Sequence, residues 1–231
     1  MKILIAPDKF KGSLSAQEVC EAIGRGLRKV DSSVEIISHP MADGGDGSVE
    51  VLAGQLSLEK CVIETLDPLG RLISAPYFTS ATAAYIEVAS ASGLVLLAKK
   101  ERNPLLTSTL GTGMMIADAL SKGFSHIHLF LGGSATNDGG TGIASALGFQ
   151  FLDAQQKVLR PIGGNLSKID AIRNTHLFDF EKIQFSLICD VNNPLFGPTG
   201  AAYVYAPQKG ATVAQVTLLD EGLQQFSLVL E

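Results

Sequence analysis

The sequence predicts an α/β fold in which helices cover the faces of a parallel sheet. Two observations support this class: strand and helix patterns alternate along the first 66 residues, and glycine-rich loops follow several predicted strands. The 231 residues are 46% hydrophobic and only 18% charged, which excludes a disordered chain. That length allows one large domain or two small ones, each with a sizeable core.

Two strand–helix units are predicted in the N-terminal part. Lys2–Ala6 has the pattern of a buried strand, and Ser15 with Glu18 forms a capping box that predicts a helix start. The apolar face predicted for this helix consists of Val19, Ile23, Leu27 and Val30, which recur at helical spacing. The remaining elements predicted here are a strand at Val34–Ser38, a helix at Ser48–Leu56 and a strand at Leu58–Leu66.

The turn Asp67–Gly70 is the predicted domain boundary. The elements predicted beyond it are a hairpin of Arg71–Phe78 with Ala83–Val88, a helix at Thr112–Leu120, a strand at His126–Leu131, a helix at Thr141–Leu147, strands at Ile183–Cys189 and Ala201–Tyr205, and a helix from Thr212 to Glu231. The last helix reaches Glu231 without a stop signal. We therefore expect a C-terminally truncated chain.

Charge and cysteine content predict the compartment and exclude some partners. A net charge of −5 argues against nucleic-acid binding, which needs a basic surface. No apolar run approaches the roughly 20 residues that cross a bilayer, so no membrane association is expected. Cys20, Cys61 and Cys189 lie in apolar stretches without a CxxC motif, which predicts buried, reduced thiols in the cytoplasm.

The strongest functional signal is the segment Gly132–Gly142, which holds five glycines between a predicted strand and a predicted helix. Glycines let backbone amides approach an anion, and a helix start adds unpaired N–H groups. The segment predicts a phosphate or carboxylate site, and the alternative is a glycine-rich turn. Gly111-Thr112-Gly113 fails the dinucleotide fingerprint, and Ser134 lacks the serine-hydrolase elbow, so Ser134 is interpreted as a hydrogen-bond donor.

Three further loops follow predicted strands, where ligands bind in open α/β sheets. In the loop Asp8–Ser13, Lys11 could neutralise phosphate charge and Ser13 could donate a hydrogen bond; the alternative is a solvated lysine pair. In the loop Asp43–Gly47, two aspartates could hold Mg²⁺, or the loop is only a tight turn. Asp190 could serve as a base or metal ligand, or Asp190–Asn193 forms an Asx turn before Pro194.

Several separated motifs carry a resemblance to a known family. They are Ala6–Ser15, Met41–Gly47, Arg102–Thr107, Gly132–Gly140, Cys189–Leu195, Gly200–Ala202 and Pro207–Ala211. In this order they closely resemble the bacterial type I glycerate kinase family, over the chain from residue 1 to about residue 225.

The resemblance implies ATP-dependent phosphorylation of D-glycerate, with 2-phosphoglycerate as the usual bacterial product. It also implies two α/β domains. Residues 1–66 would begin a flavodoxin-like domain, incomplete here, and residues 67–231 would form an inserted restriction-endonuclease-like α/β domain. Implied partners are D-glycerate, ATP and Mg²⁺, with a homodimer possible.

For this reaction the site residues are assigned by role. The catalytic candidates are Asp8, Lys11 and Asp190; the substrate- and phosphate-binding candidates are Ser13, Gly132, Gly133, Ser134, Asn137, Asp138, Gly139, Gly140, Asn193 and Lys209; the metal candidates are Asp43 and Asp46, with Asp138 as a further one. Phosphoryl transfer depends mainly on positioning and charge neutralisation, which suits these residue types.

The sequence departs from the family pattern at a few positions. Lys9 stands where the family usually has Ser, Asp46 where it has Glu, and Ser48 where it has Thr. The family's later Gly/Ala-rich segment and Thr-Gly-Glu-Gly-Arg-like motif do not occur in the sequence. The alternative function is therefore a catalytically inactive, truncated binder of nucleotide or glycerate. A hydrolase that uses Ser134 is a third, weaker interpretation.

Overall fold

The N-terminal part forms a small parallel sheet with two helices. The computed structural model describes residues 1–10 and 13–230. The first elements are β1 (Lys2–Ile5), α1 (Ala16–Val30), β2 (Glu35–Ser38) and α2 (Ser48–Leu56). β1 and β2 pair in parallel, with Lys2 opposite Glu35 and Ile5 opposite Ser38, as the alternation of strands and helices predicts.

A second, mixed sheet organises the described residues that follow. The elements are β3 (Glu59–Leu66), β4 (Leu72–Thr79), β5 (Ala83–Glu87), α3 (Val88–Ser92), α4 (Leu110–Ser121), β6 (His126–Phe130), α5 (Thr141–Ala146), β7 (Phe149–Leu152), β8 (Ala171–Asn174), β9 (Gln184–Ile188), α6 (Ala201–Tyr205) and α7 (Val213–Leu230). The sheet order is β3-β4-β5-β6-β9. β3, β4 and β5 are antiparallel neighbours, and β5, β6 and β9 run parallel. The chain is thus a mixed α/β protein.

Two clusters of buried apolar residues stabilise the part of the chain that follows β2. One lies between the five-stranded sheet and α4, and includes Ile86, Ile127 and Met115. The other lies between α7 and the segment that carries the antiparallel pair β7–β8, and includes Phe151, Leu219 and Phe226. Among the described residues, no helix is long and apolar enough to span a bilayer.

The start of α1 is as predicted, but its buried face is not. The Ser15 hydroxyl accepts the Glu18 amide at 3.2 Å, and the Glu18 carboxylate accepts the Ser15 amide at 2.8 Å, which confirms the capping box. Val19 is buried, but Ile23 and Val30 are exposed. The other buried positions are the small residues Ala16, Cys20 and Gly24, because their size lets α1 lie close to the β1–β2 sheet.

The prediction of a strand at Ala201–Tyr205 is wrong: these residues form the helix α6. A short apolar run cannot be assigned from periodicity alone. In the structure Ala202 and Ala206 are both fully buried, four residues apart, in the cluster formed with α7. Packing of these two alanines against α7 outweighs the strand preference of the tyrosines and valine between them.

The turn Asp67–Gly70, predicted as a domain boundary, lies inside a hairpin. It joins β3 and β4, which pair along their whole length from Glu59–Thr79 to Leu66–Leu72. The Asp67 amide donates to Arg71 O at 2.8 Å, and the Asp67 carboxylate accepts the Leu69 amide at 2.9 Å. The change from one sheet to the other comes earlier, between β2 and β3.

Two further expectations need correction. Cys20 is buried and Cys61 is half-buried, but Cys189 is exposed, because it follows β9 at the edge of the sheet in the described residues. In the helix α7, Val216, Leu219, Leu223 and Phe226 form the predicted buried stripe, whereas Val213 and Leu230 are exposed. Glu231 lies outside the described residues, so the predicted end of this helix is not tested.

Candidate functional site

A cleft of about 510 Å³ lies where loops from both sheets meet. Its walls come from segments that follow β2, α3, β6 and β9, together with the end of α6 and the turn after it. The predicted site residues that line it are Asp43, Asp46, Gly132, Gly133, Ser134, Asp190 and Lys209. Loops at the carboxyl ends of parallel strands are the usual ligand position in an open α/β sheet. The structure thus brings these candidates together from four distant stretches of sequence.

The backbones of two glycine-rich loops touch at the floor of the cleft. The Gly132 amide donates to Gly44 O at 3.2 Å, which joins the loop after β6 to the loop after β2. A Cβ at Gly132 would overlap the Cα of Gly45. Glycine at position 132 is therefore required by the close approach of the two chains rather than by backbone flexibility.

The loop after β6 lines the cleft with two residues, Gly133 and Ser134, whose backbone amides are available as donors. Ala135 N donates to Ser92 O at 2.8 Å, and Gly133 O accepts the Leu94 amide at 2.9 Å. Within the described residues, the amides of Gly133 and Ser134 have no protein acceptor. Gly133 has φ +75°, a conformation that favours glycine. This stretch can therefore receive an anion through its backbone.

Lys209 places a cation beside these donors. It is 8% exposed, and its Nζ donates to Ser134 Oγ at 2.9 Å and to Thr136 O at 2.6 Å. Burial lowers the pKa of Lys209 to about 8, although the charge of Asp138 acts in the opposite direction. At neutral pH this cleft wall therefore carries a desolvated ammonium next to a hydroxyl.

The second half of the same loop turns inward instead of facing the cleft. The buried carboxylate of Asp138 accepts the Thr109 amide and hydroxyl, both at 2.8 Å, and the Gly142 amide at 3.2 Å. It also accepts the Gly140 amide at 3.3 Å. Burial raises the pKa of Asp138, and these hydrogen bonds oppose that shift. An internal carboxylate thus occupies the start of α5, where the sequence analysis expects an external anion.

Several other predicted residues lie away from the cleft. Gly139 packs close to the ring of Phe226. Asn137 is 8% exposed, and its Nδ2 has no partner among the described residues. Asn193 donates from Nδ2 to Thr199 O at 2.8 Å and accepts the hydroxyl of Tyr205. Asn193 therefore braces a cleft-lining tyrosine rather than lining the cleft itself.

The loop after β1 borders a separate cavity. Asp8 and Lys9 line a space of about 460 Å³ between the starts of α1 and α2, and Asp46 lines both this space and the cleft. Ser13 is exposed and its amide donates to Phe10 O at 2.9 Å. Lys11, a predicted catalytic residue, lies outside the described residues.

The residues predicted as magnesium ligands already have a cationic partner. Lys9 Nζ lies 3.0 Å from Asp43 Oδ1 and 3.8 Å from Asp46 Oδ1. Burial raises the pKa of Asp43, but the Gly45 amide and Lys9 outweigh it and hold that pKa below its usual value. In the described part of the chain, no three histidine, cysteine or acidic side chains form a group suited to a metal ion. An Mg²⁺ shared by Asp43 and Asp46 does not fit this arrangement.

Glu87 is a functional candidate that the sequence analysis missed. Its carboxylate, at the end of β5, accepts the Gly47 amide at 3.0 Å and the Val49 amide at 2.7 Å. Burial raises the pKa of Glu87, with the two amides opposing. Glu87 thereby ties the start of α2 to the five-stranded sheet. The signal was available, since Glu87 is an acid near the end of a predicted strand, as Asp190 is.

The lining of the cleft combines hydrogen-bond donors and carboxylates. The donors are the ammonium of Lys209, the hydroxyl of Ser134 and backbone amides, which suit a phosphate or carboxylate, and the carboxylates are Asp43, Asp46 and Asp190. The two kinds of group are neighbours, since a Cβ at Gly133 would lie 3.5 Å from Asp46 Oδ1. An anionic small molecule with a hydroxyl group could contact a donor and a carboxylate in the same cleft, as phosphoryl transfer to an alcohol needs.

The described residues define a mixed α/β protein with a cleft between glycine-rich loops at the carboxyl ends of its parallel strands. A family model described as the glycerate kinase family matches residues 3–231. The chain belongs to the glycerate kinase family.

Individual relatives agree with this membership. A glycerate kinase from Halalkalibacterium halodurans is 43% identical over 232 residues, which cover 99% of this chain and 61% of the relative. The glycerate 2-kinase of Escherichia coli K12 is 39% identical over 234 residues, covering 100% of this chain and 61% of the relative. A crystal structure assigned to glycerate kinase 2 of Salmonella typhimurium LT2 superposes with a TM-score of 0.82 at 39% identity, over 100% of this chain and 62% of that one. The chain spans about 61% of the length of the curated relatives it matches.

Proposed function

We propose that this protein transfers the γ-phosphoryl group of ATP to D-glycerate, forming 2-phosphoglycerate and ADP. The observation that carries the proposal is the pairing of Lys209 with Ser134 beside the amides of Gly133 and Ser134, in a cleft that Asp190 also lines. Family membership supports the reaction class, and the Escherichia coli relative, a glycerate 2-kinase, supports phosphorylation at the C2 hydroxyl.

The proposed reaction uses this chain's residues for binding and proton transfer. Lys209, Ser134 and the nearby amides hold an anionic group, either the carboxylate of glycerate or phosphate oxygens. The C2 hydroxyl oxygen of glycerate attacks the γ-phosphorus, the bond from that phosphorus to the bridging oxygen of ADP breaks, and the hydroxyl proton passes to Asp190. Mg²⁺ would supply neutralisation of phosphate charge in this reaction.

The predicted residues outside the cleft take supporting roles in this proposal. Asp138, Gly139 and Gly140 shape the loop that carries Ser134, and Asn193 fixes Tyr205. Asp8 lies in the neighbouring cavity, across the wall that contains Asp46. Lys11 follows Asp8 by three residues in the sequence. Neutralisation of phosphate charge by the Lys11 side chain stays a prediction.

We also propose the domain organisation and setting that the resemblance implies. Residues 1–66 would belong to a flavodoxin-like domain and residues 67–231 to an inserted restriction-endonuclease-like domain. The separate parallel pair β1–β2 supports two units, although β3 pairs with β4 across the proposed boundary. Three free cysteines support a reducing, cytoplasmic setting. A homodimer stays a proposal without a specific contact behind it.

The test is a coupled assay for ADP in the presence of ATP, Mg²⁺ and D-glycerate, with L-glycerate as the control substrate. ³¹P NMR of the product distinguishes 2-phosphoglycerate from 3-phosphoglycerate. Lys209→Met should abolish the signal or reduce it at least about tenfold, because it removes the cation beside Ser134. Activity that is equal in Lys209→Met and the unchanged protein would contradict the assigned site.

The alternative function is a catalytically inactive binder of nucleotide or glycerate. Isothermal titration with ATP and with D-glycerate separates the two functions. Binding without any ADP release would favour the binder. Turnover that depends on D-glycerate would exclude it.

A further inference from the structure

The ammonium of Lys9 lies between two carboxylates at the wall shared by the cleft and the neighbouring cavity. Its Nζ is 3.0 Å from Asp43 Oδ1 and 3.8 Å from Asp46 Oδ1, and only 11% of the Lys9 side chain is exposed. Ion pairs on an open surface contribute little, because water screens them. The Lys9 side chain is shielded from water, whereas the Asp43 and Asp46 side chains are 31% and 38% exposed.

The loop is shaped to receive this ammonium. A Cβ at position 45 would lie 3.3 Å from Lys9 Nζ and 2.9 Å from Asp43 Oδ1, so a side chain there would crowd the ion pair. The Gly45 amide donates to the same Asp43 oxygen at 2.8 Å. Asp43 Oδ1 therefore accepts from an amide and an ammonium together, and a metal ion would have to displace the lysine to use that oxygen.

The surroundings of Lys9 are rich in acids from several elements. Asp8, after β1, accepts the Lys9 amide at 2.7 Å. Glu87, at the end of β5, binds the Gly47 amide directly after Asp46. Among the described residues, Lys9 supplies the positively charged group that lies within 4.0 Å of the Asp43 and Asp46 carboxylates. Without it, like charges on neighbouring loops would repel each other.

We propose that Lys9 is the resident counter-ion of the Asp43–Asp46 pair and stands where a divalent cation would otherwise be held. Lys9 is thus a positioning residue: it orders the Asp43–Gly47 loop, and through Asp46 the wall of the cleft, without a metal. This assignment reverses the expectation from sequence, in which Asp43 and Asp46 bind Mg²⁺.

Titration of the full 231-residue chain with Mn²⁺ alone, followed by the EPR signal of free Mn²⁺, tests this role. We expect no Mn²⁺ site that depends on Asp43 in the unchanged protein. Lys9→Met removes the charge but keeps most of the side chain, and should gain an Mn²⁺ site at least about tenfold tighter than any Mn²⁺ binding seen in the unchanged protein. The added site should disappear in Lys9→Met/Asp43→Asn. Lys9→Arg keeps the positive charge and should behave like the unchanged protein.

Two results would overturn the assignment. One is Mn²⁺ binding by the unchanged protein that Asp43→Asn abolishes, which remains measurable even if Lys9→Met does not fold. The other is a folded Lys9→Met, judged by circular dichroism, that gains no Mn²⁺ site. Neither ATP nor glycerate is present, so a failure here is distinct from a failure of the proposed kinase activity.

Discussion

Lys209 Nζ and Ser134 Oγ are 2.9 Å apart, although 75 residues separate them in the sequence. The contact joins the short 3₁₀ turn Pro207–Lys209 to the loop after β6. Gly210 has φ +94° and closes this turn, and a Cβ there would overlap the carbonyl oxygen of Arg102. The position of the cleft ammonium therefore depends on a turn that favours glycine at its end.

The first prediction concerns the pH dependence of anion binding. Burial lowers the pKa of Lys209 to about 8, so the ammonium loses its proton as pH rises through that value. The affinity for pyrophosphate, measured by isothermal titration, should fall by up to about tenfold per pH unit above pH 8. Lys209→Met should bind pyrophosphate weakly at every pH. A profile that is equally flat in both proteins would contradict the role of Lys209.

The same pKa shift predicts an effect on stability. In the unfolded chain a lysine has a pKa near 10.4, so between pH 8 and pH 10.4 the unfolded state binds more protons at this site than the folded state does. Stability therefore rises with pH in this window. The test compares the free energy of unfolding of the unchanged protein with that of Lys209→Met. The difference in favour of the unchanged protein should increase by about 1–3 kcal/mol between pH 8 and pH 10. A constant difference in urea melts would show that burial does not lower this pKa.

The third prediction concerns the link between the two sheets. Glu87→Gln replaces one carboxylate oxygen with an NH₂ group that faces the amide of Gly47 or Val49. Losing one acceptor for a partly buried donor should lower the free energy of unfolding by about 1–3 kcal/mol. Hydrogen exchange at Gly47 and Val49 should also become faster.

Glu50→Gln is the matched control, because Glu50 lies in the first turn of the same helix but is exposed. It should change stability by no more than about 0.5 kcal/mol. Equal exchange rates at Gly47 in both variants would contradict the tie between Glu87 and α2.

The sequence was sufficient to predict the cleft residues that follow strands, because parallel strands place their carboxyl ends at one edge. Asp43, Ser134 and Asp190 were found by this rule. This rule does not predict whether a polar side chain in such a loop points into the cleft or into the protein interior. Asp138 lies four residues from Ser134, yet it bonds inward to Thr109, a contact set by the packing of α4 against α5.

Short elements set the other limit on prediction from sequence. Ala201–Tyr205 forms a helix because Ala202 and Ala206 pack against α7, and no local pattern records that contact. The position of Glu87 near a strand end is visible in the sequence, but its role is not, because the amides it accepts lie about 40 residues earlier in the chain. Long amphipathic elements such as α7 depend less on such distant partners, and the predicted start of α7 at Thr212 lies one residue from the observed start at Val213.

The last prediction concerns the contact between the two glycine-rich loops. Gly132→Ala adds a methyl group that would overlap the Cα of Gly45, and backbone atoms cannot move aside as a flexible side chain can. Overpacking of this kind costs about 1–3 kcal/mol, so thermal denaturation should show a lower Tm.

Gly26→Ala is the control: Gly26 lies within α1, and a Cβ there meets nothing within 4 Å. Because alanine favours helix, Gly26→Ala should stabilise the protein by up to about 1 kcal/mol. If both variants instead melt at or above the Tm of the unchanged protein, the two loops are not in the close contact that the hydrogen bond from Gly132 to Gly44 indicates.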